Sequence, residues 1–149
     1  MKIIGITGFI GCGKSTIAHI VRKLGFCVFD ADFWGKQAYK NNKVLARVKE
    51  FFPEVFKNNK ISKTTLREIV FHNQEKLKIL ENIIHPFVFD KLKSTIRKNS
   101  KKSSLLFIDL ALLYEMGWDK YCYKTIGVFL EKENKRKKRL DAWRKSKQD

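Results

Sequence analysis

The sequence predicts an α/β fold built on a parallel sheet, with a helical insertion and a basic helix near its end. Three observations carry that prediction. Short apolar runs at 3–7, 26–29, 104–110 and 125–130 have the β-branched, non-alternating character of strands buried on both faces. The Gly-rich segment Gly8-Phe9-Ile10-Gly11-Cys12-Gly13-Lys14-Ser15 links the first run to a helix, marked by Ile17, Ile20, Val21 and Leu24 at i, i+3, i+4, i+7. The interval between the second and third runs is far longer than an ordinary crossover and is helical in pattern.

The Gly-rich segment fits G-x-x-x-x-G-K-[ST], the phosphate-binding P-loop, with a strand before it and a helix after it as that motif requires. Gly8, Gly11 and Gly13 let backbone N–H groups come close to phosphate oxygens, and the helix N-terminus adds partial positive charge there. Lys14 is placed to reach the β/γ-phosphates and the Ser15 hydroxyl to ligate Mg²⁺. The expected fold is therefore the three-layer P-loop NTPase fold, with ATP and Mg²⁺ as ligands.

Further along, Leu24-Gly25 ends the first helix with a Gly cap. The run at 26–29 leads into Asp30-Ala31-Asp32, carboxylates at the end of a parallel strand where the ligand crevice forms. Asp30 reads equally as a cap or as a functional group; Asp32 reads as functional. Within the insertion, Ser62 caps a helix carrying Leu66, Ile69 and Val70, and Asn73 caps one carrying Leu77, Leu80, Ile83 and Ile84. Pro86 is expected to open a third helix as its first residue. Pro53 and Asn58-Asn59 mark breaks. Asp109 falls at the end of the third run, facing the P-loop, where it would orient Mg²⁺ through water. The last helix carries Lys135, Arg136, Lys137, Lys138, Arg139 and Arg144, either a lid closing on triphosphate or an exposed amphipathic tail. The whole chain reads as a single domain: a core of 1–30 and 104–130, an insertion of about 31–103 and a lid of about 131–149.

Composition narrows the classes. The 149 residues, 44% hydrophobic, suit one compact domain with a real core. No apolar run approaches the roughly 18 residues of a membrane span, and the P-loop begins too early for a signal peptide. Three cysteines without metal-ligand spacing fit reduced thiols, hence a cytoplasmic expectation. The net charge of +17 attracts polyanions, but the cations are mostly Lys spread along the chain, so nucleic acid is not expected as a partner on charge alone. A guanine-reading N-K-x-D is absent. The layout suits a small-molecule kinase, which must hold an acceptor hydroxyl in line with the γ-phosphate and shut water out.

Four segments resemble the dephospho-coenzyme A kinase family: residues 1–16, Phe29-Asp30-Ala31-Asp32, Leu80-Glu81-Asn82-Ile83-Ile84-His85-Pro86, and Asp109-Leu110-Ala111-Leu112-Leu113-Tyr114-Glu115. The resemblance implies transfer of the γ-phosphate of ATP to the 3′-hydroxyl of dephospho-CoA, the last step of CoA synthesis, with no membrane partner. It implies that Gly11, Cys12, Gly13, Lys14, Ser15 and Thr16 grip ATP. Asp32 would be the base facing the acceptor hydroxyl, His85 and Glu115 would lie on the acceptor's side, and Arg139 would act from the lid. Phe9, Cys12, Ala111 and Lys63 stand where the family usually has Gly, Ser, Pro and Arg, and Arg139 is followed by Trp143, with Arg144 one place beyond the usual second arginine. The family continues for about one more strand and helix, so the expectation is a fragment or a truncated product whose activity depends on that part. The alternatives are another small-molecule or nucleoside monophosphate kinase, or an inactive nucleotide-binding protein whose basic surface attracts nucleic acid.

Overall fold

The computed structural model describes residues 1–8, 13–111, 113, 116–129, 141, 142 and 145. In chain order the elements are β1 (Lys2–Gly8), α1 (Lys14–Lys23), β2 (Val28–Asp30), α2 (Ala31–Gln37), α3 (Asn42–Phe51), β3 (Phe56–Lys57), β4 (Lys60–Ile61), α4 (Lys63–Phe71), α5 (Gln74–Asn99), β5 (Leu105–Asp109) and β6 (Lys124–Val128). Short 3₁₀ turns occupy Ala38–Lys40, Pro53–Val55 and Trp118–Tyr121. The described residues divide into two compact units, one of Met1–Asp32 with Ser94–Asp149 and one of Phe33–Lys93.

The first unit holds a four-stranded sheet in the order β2-β5-β1-β6, and every pairing is parallel. The central strands are apolar because both faces are covered. Ile4, Ile6, Leu105 and Phe107 pack with Ile17 and Val21 of α1 on one face, while Leu106 and Ile108, of opposite alternation, are fully buried on the other. Gly5 is required by packing: a Cβ there would lie 2.5 Å from Leu113 Cδ1 and 3.0 Å from Cys122 Sγ. The helix stop read at Leu24-Gly25 is a Schellman motif. Gly25 takes φ +91°, its N–H donates to the Arg22 carbonyl (3.0 Å), and the Phe26 N–H donates to Val21 (3.3 Å).

The second unit is helical, with a core of Val44, Val48, Phe52, Val55, Leu66 and Leu80 among others. Its helices start where polar side chains satisfy free N–H groups. Asn41 accepts from Lys43 and Val44, Ser62 from Thr65, and Asn73 from Lys76. The Asn58-Asn59 break is the turn of a small antiparallel hairpin, β3–β4, with both residues at positive φ as a type I′ turn demands. One expectation is corrected. Pro86 does not open a helix but lies in the interior of the 26-residue α5. Leu80 and Ile83 before it, and Val88 and Leu92 after it, are all buried, so packing on both sides carries the helix through the missing hydrogen bond. Among the described residues no helix is long and apolar enough to cross a membrane.

Candidate active site

The site lies at the C-terminal edge of the sheet in the first unit. β1 carries the chain to Gly8, and the helix on the far side of the loop begins directly after Gly13. Gly13 sits at φ +100°, a left-handed conformation that costs an ordinary side chain about 1–2 kcal/mol. Its carbonyl accepts from the Ile17 N–H at 3.1 Å, which closes the first turn of α1. Among the described residues no side chain caps α1, and its first turn has no acid, so its leading N–H groups are left to an anion. Ser15 and Thr16 are exposed in that turn.

Lys14 is mostly buried, its side chain 15% exposed, and its Nζ donates to Asp109 Oδ1. Strand order produces this pair. β5 lies between β2 and β1, so Asp109 registers with Ile6 on one side and Asp30 on the other, at the edge from which α1 departs. Asp32, the second residue of α2, brings Oδ2 to 4.0 Å from the same Nζ. Lys14 is thus flanked by two carboxylates, one held close in a sheltered site and one looser and 54% exposed. Thr7 is a buried polar residue that sequence reasoning missed, and its Oγ1 donates to the Ala111 carbonyl at 2.9 Å. A hydroxyl inside an otherwise apolar strand was the available signal. This bond ties the end of β1 to the chain leaving β5.

The Asp32 carboxyl is pushed up from the ordinary carboxylate range. Partial withdrawal from water is the main cause; the neighbouring charges of Asp30 and Asp109 push the same way, against Lys14 and a backbone hydrogen bond with Ala111. A carboxylate with raised proton affinity, open to solvent on one side and beside the Lys14 ammonium, is chemically able to accept a proton from a hydroxyl brought next to it.

Not every sequence-predicted residue falls in this cluster. Gly8, Gly13, Lys14, Ser15, Thr16, Asp32 and Asp109 are all in the first unit. His85 belongs to the second, on α5, where its ring stacks on Phe89 at 5.8 Å. Gly11, Cys12, Glu115 and Arg139 lie outside the described residues, as does most of the segment expected to form a basic final helix. Among the described residues no three His, Cys, Asp or Glu side chains converge on a metal position. A Mg²⁺ that arrives with nucleotide phosphates needs only one or two protein ligands, and the exposed Ser15 hydroxyl and the Asp109 carboxylate are oxygen donors of the kind it would take.

A parallel strand, a Gly-rich turn with a left-handed glycine, a helix N-terminus free of acids and a lysine engaged by the aspartate of the neighbouring strand together define the P-loop class of α/β proteins. Comparison with known proteins refines the class. The family profile described as dephospho-CoA kinase matches residues 2–146, and the chain belongs to that family. A dephospho-CoA kinase of Bartonella quintana is 41% identical over 131 residues, which cover 86% of this chain and 66% of the relative. One from Thermus thermophilus is 36% identical over 126 residues, covering 85% of this chain and 60% of the relative. These alignments therefore span less than two thirds of either relative's length. Among solved structures, a Thermus thermophilus protein superposes with a TM-score of 0.85 at 34% identity, covering 95% of this chain and 71% of that one. A dephospho-CoA kinase from Campylobacter jejuni gives a TM-score of 0.68 at 30% identity, covering 99% and 83%.

Proposed function

We propose that this chain transfers the γ-phosphate of ATP to the ribose 3′-hydroxyl of dephospho-CoA, giving CoA. The observation that carries the reading, within a family match spanning residues 2–146, is the placement of Lys14 between Asp109 and Asp32 at the mouth of the P-loop. Without nucleotide, Asp109 holds the Lys14 ammonium. When ATP binds, the phosphate oxygens compete for that ammonium, and Lys14 spreads its charge over the β/γ-phosphates in ground state and transition state alike. The N–H groups at the start of α1 bind the same phosphates, and Gly11, Cys12, Ser15 and Thr16 belong to this grip. Asp32 accepts the proton of the acceptor hydroxyl as that oxygen attacks. Mg²⁺ bound with the nucleotide would neutralise phosphate charge, with Ser15 and Asp109 as the residues that hold it.

The helical insertion is assigned to the acceptor, with His85 and Glu115 on its side, and Arg139 of the basic helix to transition-state charge. Cys27 and Cys122 are free thiols whose proton affinity burial pushes up, which favours the less nucleophilic un-ionised form and is compatible with the cytoplasm as the compartment. The test is ADP release from Mg-ATP with dephospho-CoA as acceptor. Turnover that depends on dephospho-CoA is the expected result. Turnover on nucleoside monophosphates and none on dephospho-CoA would move the chain to the wider small-molecule kinase class.

A further inference from the structure

β2 and β5 run parallel with Asp30 registered on Asp109, which brings Asp32 and Ala111, each two residues further along, next to one another. The backbone hydrogen bond between them favours the ionised carboxylate, so its donor is the Ala111 N–H. Asp32 needs such an anchor. Its side chain is 54% exposed, and Lys14, 4.0 Å away, is held more closely by Asp109. A loose pair at an exposed carboxylate does little to fix its orientation. A backbone N–H on a carboxylate is directional and charge-assisted. It also leaves acceptor sites on the two oxygens for a substrate hydroxyl.

The N–H can orient Asp32 only if its own peptide is fixed, and the chain leaving β5 is pinned on both sides of that peptide. Before it, the Leu110 N–H donates to the Ile6 carbonyl at 3.1 Å. After it, the Ala111 carbonyl accepts from Thr7 Oγ1 at 2.9 Å. The Ala111 N–H belongs to the planar peptide between these two bonds, so its direction follows from theirs. A further contact holds the segment to the same face of β1. Gly5, two residues before Thr7, leaves the room that the fully buried Leu113 side chain occupies. Thr7 is itself buried, and valine would fill its place in the strand without a hydroxyl to satisfy. What the hydroxyl adds is its hold on Ala111. Thr7 directly precedes Gly8, the first residue of the phosphate-binding motif. One strand end therefore leads into the phosphate loop and fixes the peptide beside the proton acceptor.

We propose that Thr7 is a positioning residue for phosphoryl transfer: its hydroxyl fixes Ala111, and the Ala111 N–H holds the Asp32 carboxylate toward the acceptor hydroxyl. The role given to Asp32 rests on the reaction proposed above; the chain of hydrogen bonds from Thr7 through Ala111 to Asp32 does not.

The experiment follows the Ala111 amide in the ¹⁵N-labelled full chain and pairs it with steady-state kinetics. Asp32→Asn, which removes the charged acceptor, should move the Ala111 amide proton upfield. Thr7→Val should move it the same way and speed its exchange with solvent, while Thr7→Ser, which keeps a hydroxyl, should leave it near its wild-type position. If the valine variant is too unstable, Thr7→Ala removes the same hydroxyl. In kinetics Thr7→Val should lower kcat about tenfold or more with KM for ATP held, and Thr7→Ser should recover most of the loss. In an Asp32→Asn background the same Thr7→Val change should cost less than about twofold, because the carboxylate it positions is already gone. An Ala111 amide indifferent to Asp32→Asn overturns the proposal. So does a Thr7→Val that raises KM for ATP and costs the same factor in both backgrounds, the signature of mere support for the strand and loop. A wild type that does not turn over dephospho-CoA would refute the reaction, and the amide shifts would then decide the hydrogen-bond chain by themselves. Normal turnover with Ala111 unmoved would refute the hydrogen-bond chain and leave the reaction standing.

Discussion

Replacing Asp32 with Asn keeps the side chain's shape and removes its charge and its proton-accepting power. Two consequences with different signs follow. For stability, the ionised carboxylate gains from Lys14 at 4.0 Å and from the N-terminus of α2, each worth about 0.3–1 kcal/mol at an exposed position. Partial withdrawal from water and the charges of Asp30 and Asp109 oppose it, and the upward shift of the carboxyl says that the opposition wins. The folded protein therefore holds the Asp32 proton more tightly than the unfolded chain does. The resulting stabilisation is full below the unfolded value of about 3.9 and is lost as pH rises through the higher folded value. At pH 7.5 the wild type thus carries a small penalty that Asn lacks. Asp32→Asn should melt at or slightly above the wild-type temperature at pH 7.5, and the difference should shrink as pH falls toward 4. For catalysis, loss of a general base lowers kcat by about 10²–10⁴, roughly 2.7–5.4 kcal/mol of barrier, with KM for ATP little changed. Lys14→Ala differs, raising KM for ATP and lowering kcat together, because its charge serves ground and transition states alike. Thermal melts at two pH values and steady-state ADP release read both effects. Turnover of Asp32→Asn within a few-fold of wild type would refute the role of base. A stability loss above about 1 kcal/mol at pH 7.5 would refute the electrostatic balance.

Three further changes test other links of the structure. Asp109→Asn leaves the mostly buried Lys14 ammonium with a neutral acceptor and should cost about 1–3 kcal/mol in chemical denaturation, a loss that shrinks when ATP supplies the missing negative charge; an unchanged midpoint would mean the pair contributes nothing. Gly5→Ala drives a Cβ to 2.5 Å from the fully buried Leu113 side chain, so about 1–3 kcal/mol should be lost, whereas wild-type stability would show that Leu113 repacks freely. Asn58→Ala puts a side chain without local hydrogen bonding at φ +51° in the β3–β4 turn and should cost about 1 kcal/mol, with Asn58→Gly neutral or better; equal melting temperatures for the two would contradict the type I′ assignment.

What the sequence made legible is what contiguous residues encode. The strand, Gly13, Lys14 and the apolar face of α1 lie within two dozen positions, and the Schellman stop and the caps at Ser62 and Asn73 need only their own neighbours. Asp109 was readable as a carboxylate at a strand end, but its engagement with Lys14 was not. The two residues are 95 positions apart, and they meet only because β5 inserts between β2 and β1 rather than at the sheet's edge. Pro86 was misread for the complementary reason: a local rule favours Pro at a helix start, and burial of Leu80, Ile83, Val88 and Leu92 along one helix overrides it. The cations Lys36, Lys63 and Arg67 illustrate the limit best. In a chain of net charge +17 composition offers no reason to single them out, and only Lys63 is marked at all, by the family resemblance, as standing where an Arg is usual. Folding singles them out by bringing the three around a cavity of the second unit that has an apolar floor of Leu66, Val70 and Leu80 and no acid in its lining, while Lys43 and Arg47 share another cavity with Asp90. Net charge therefore says little about what this chain binds; the informative quantity is where the fold leaves positive charge uncompensated. By that measure two places stand out, the acid-free first turn of α1 and the cavity over Leu66.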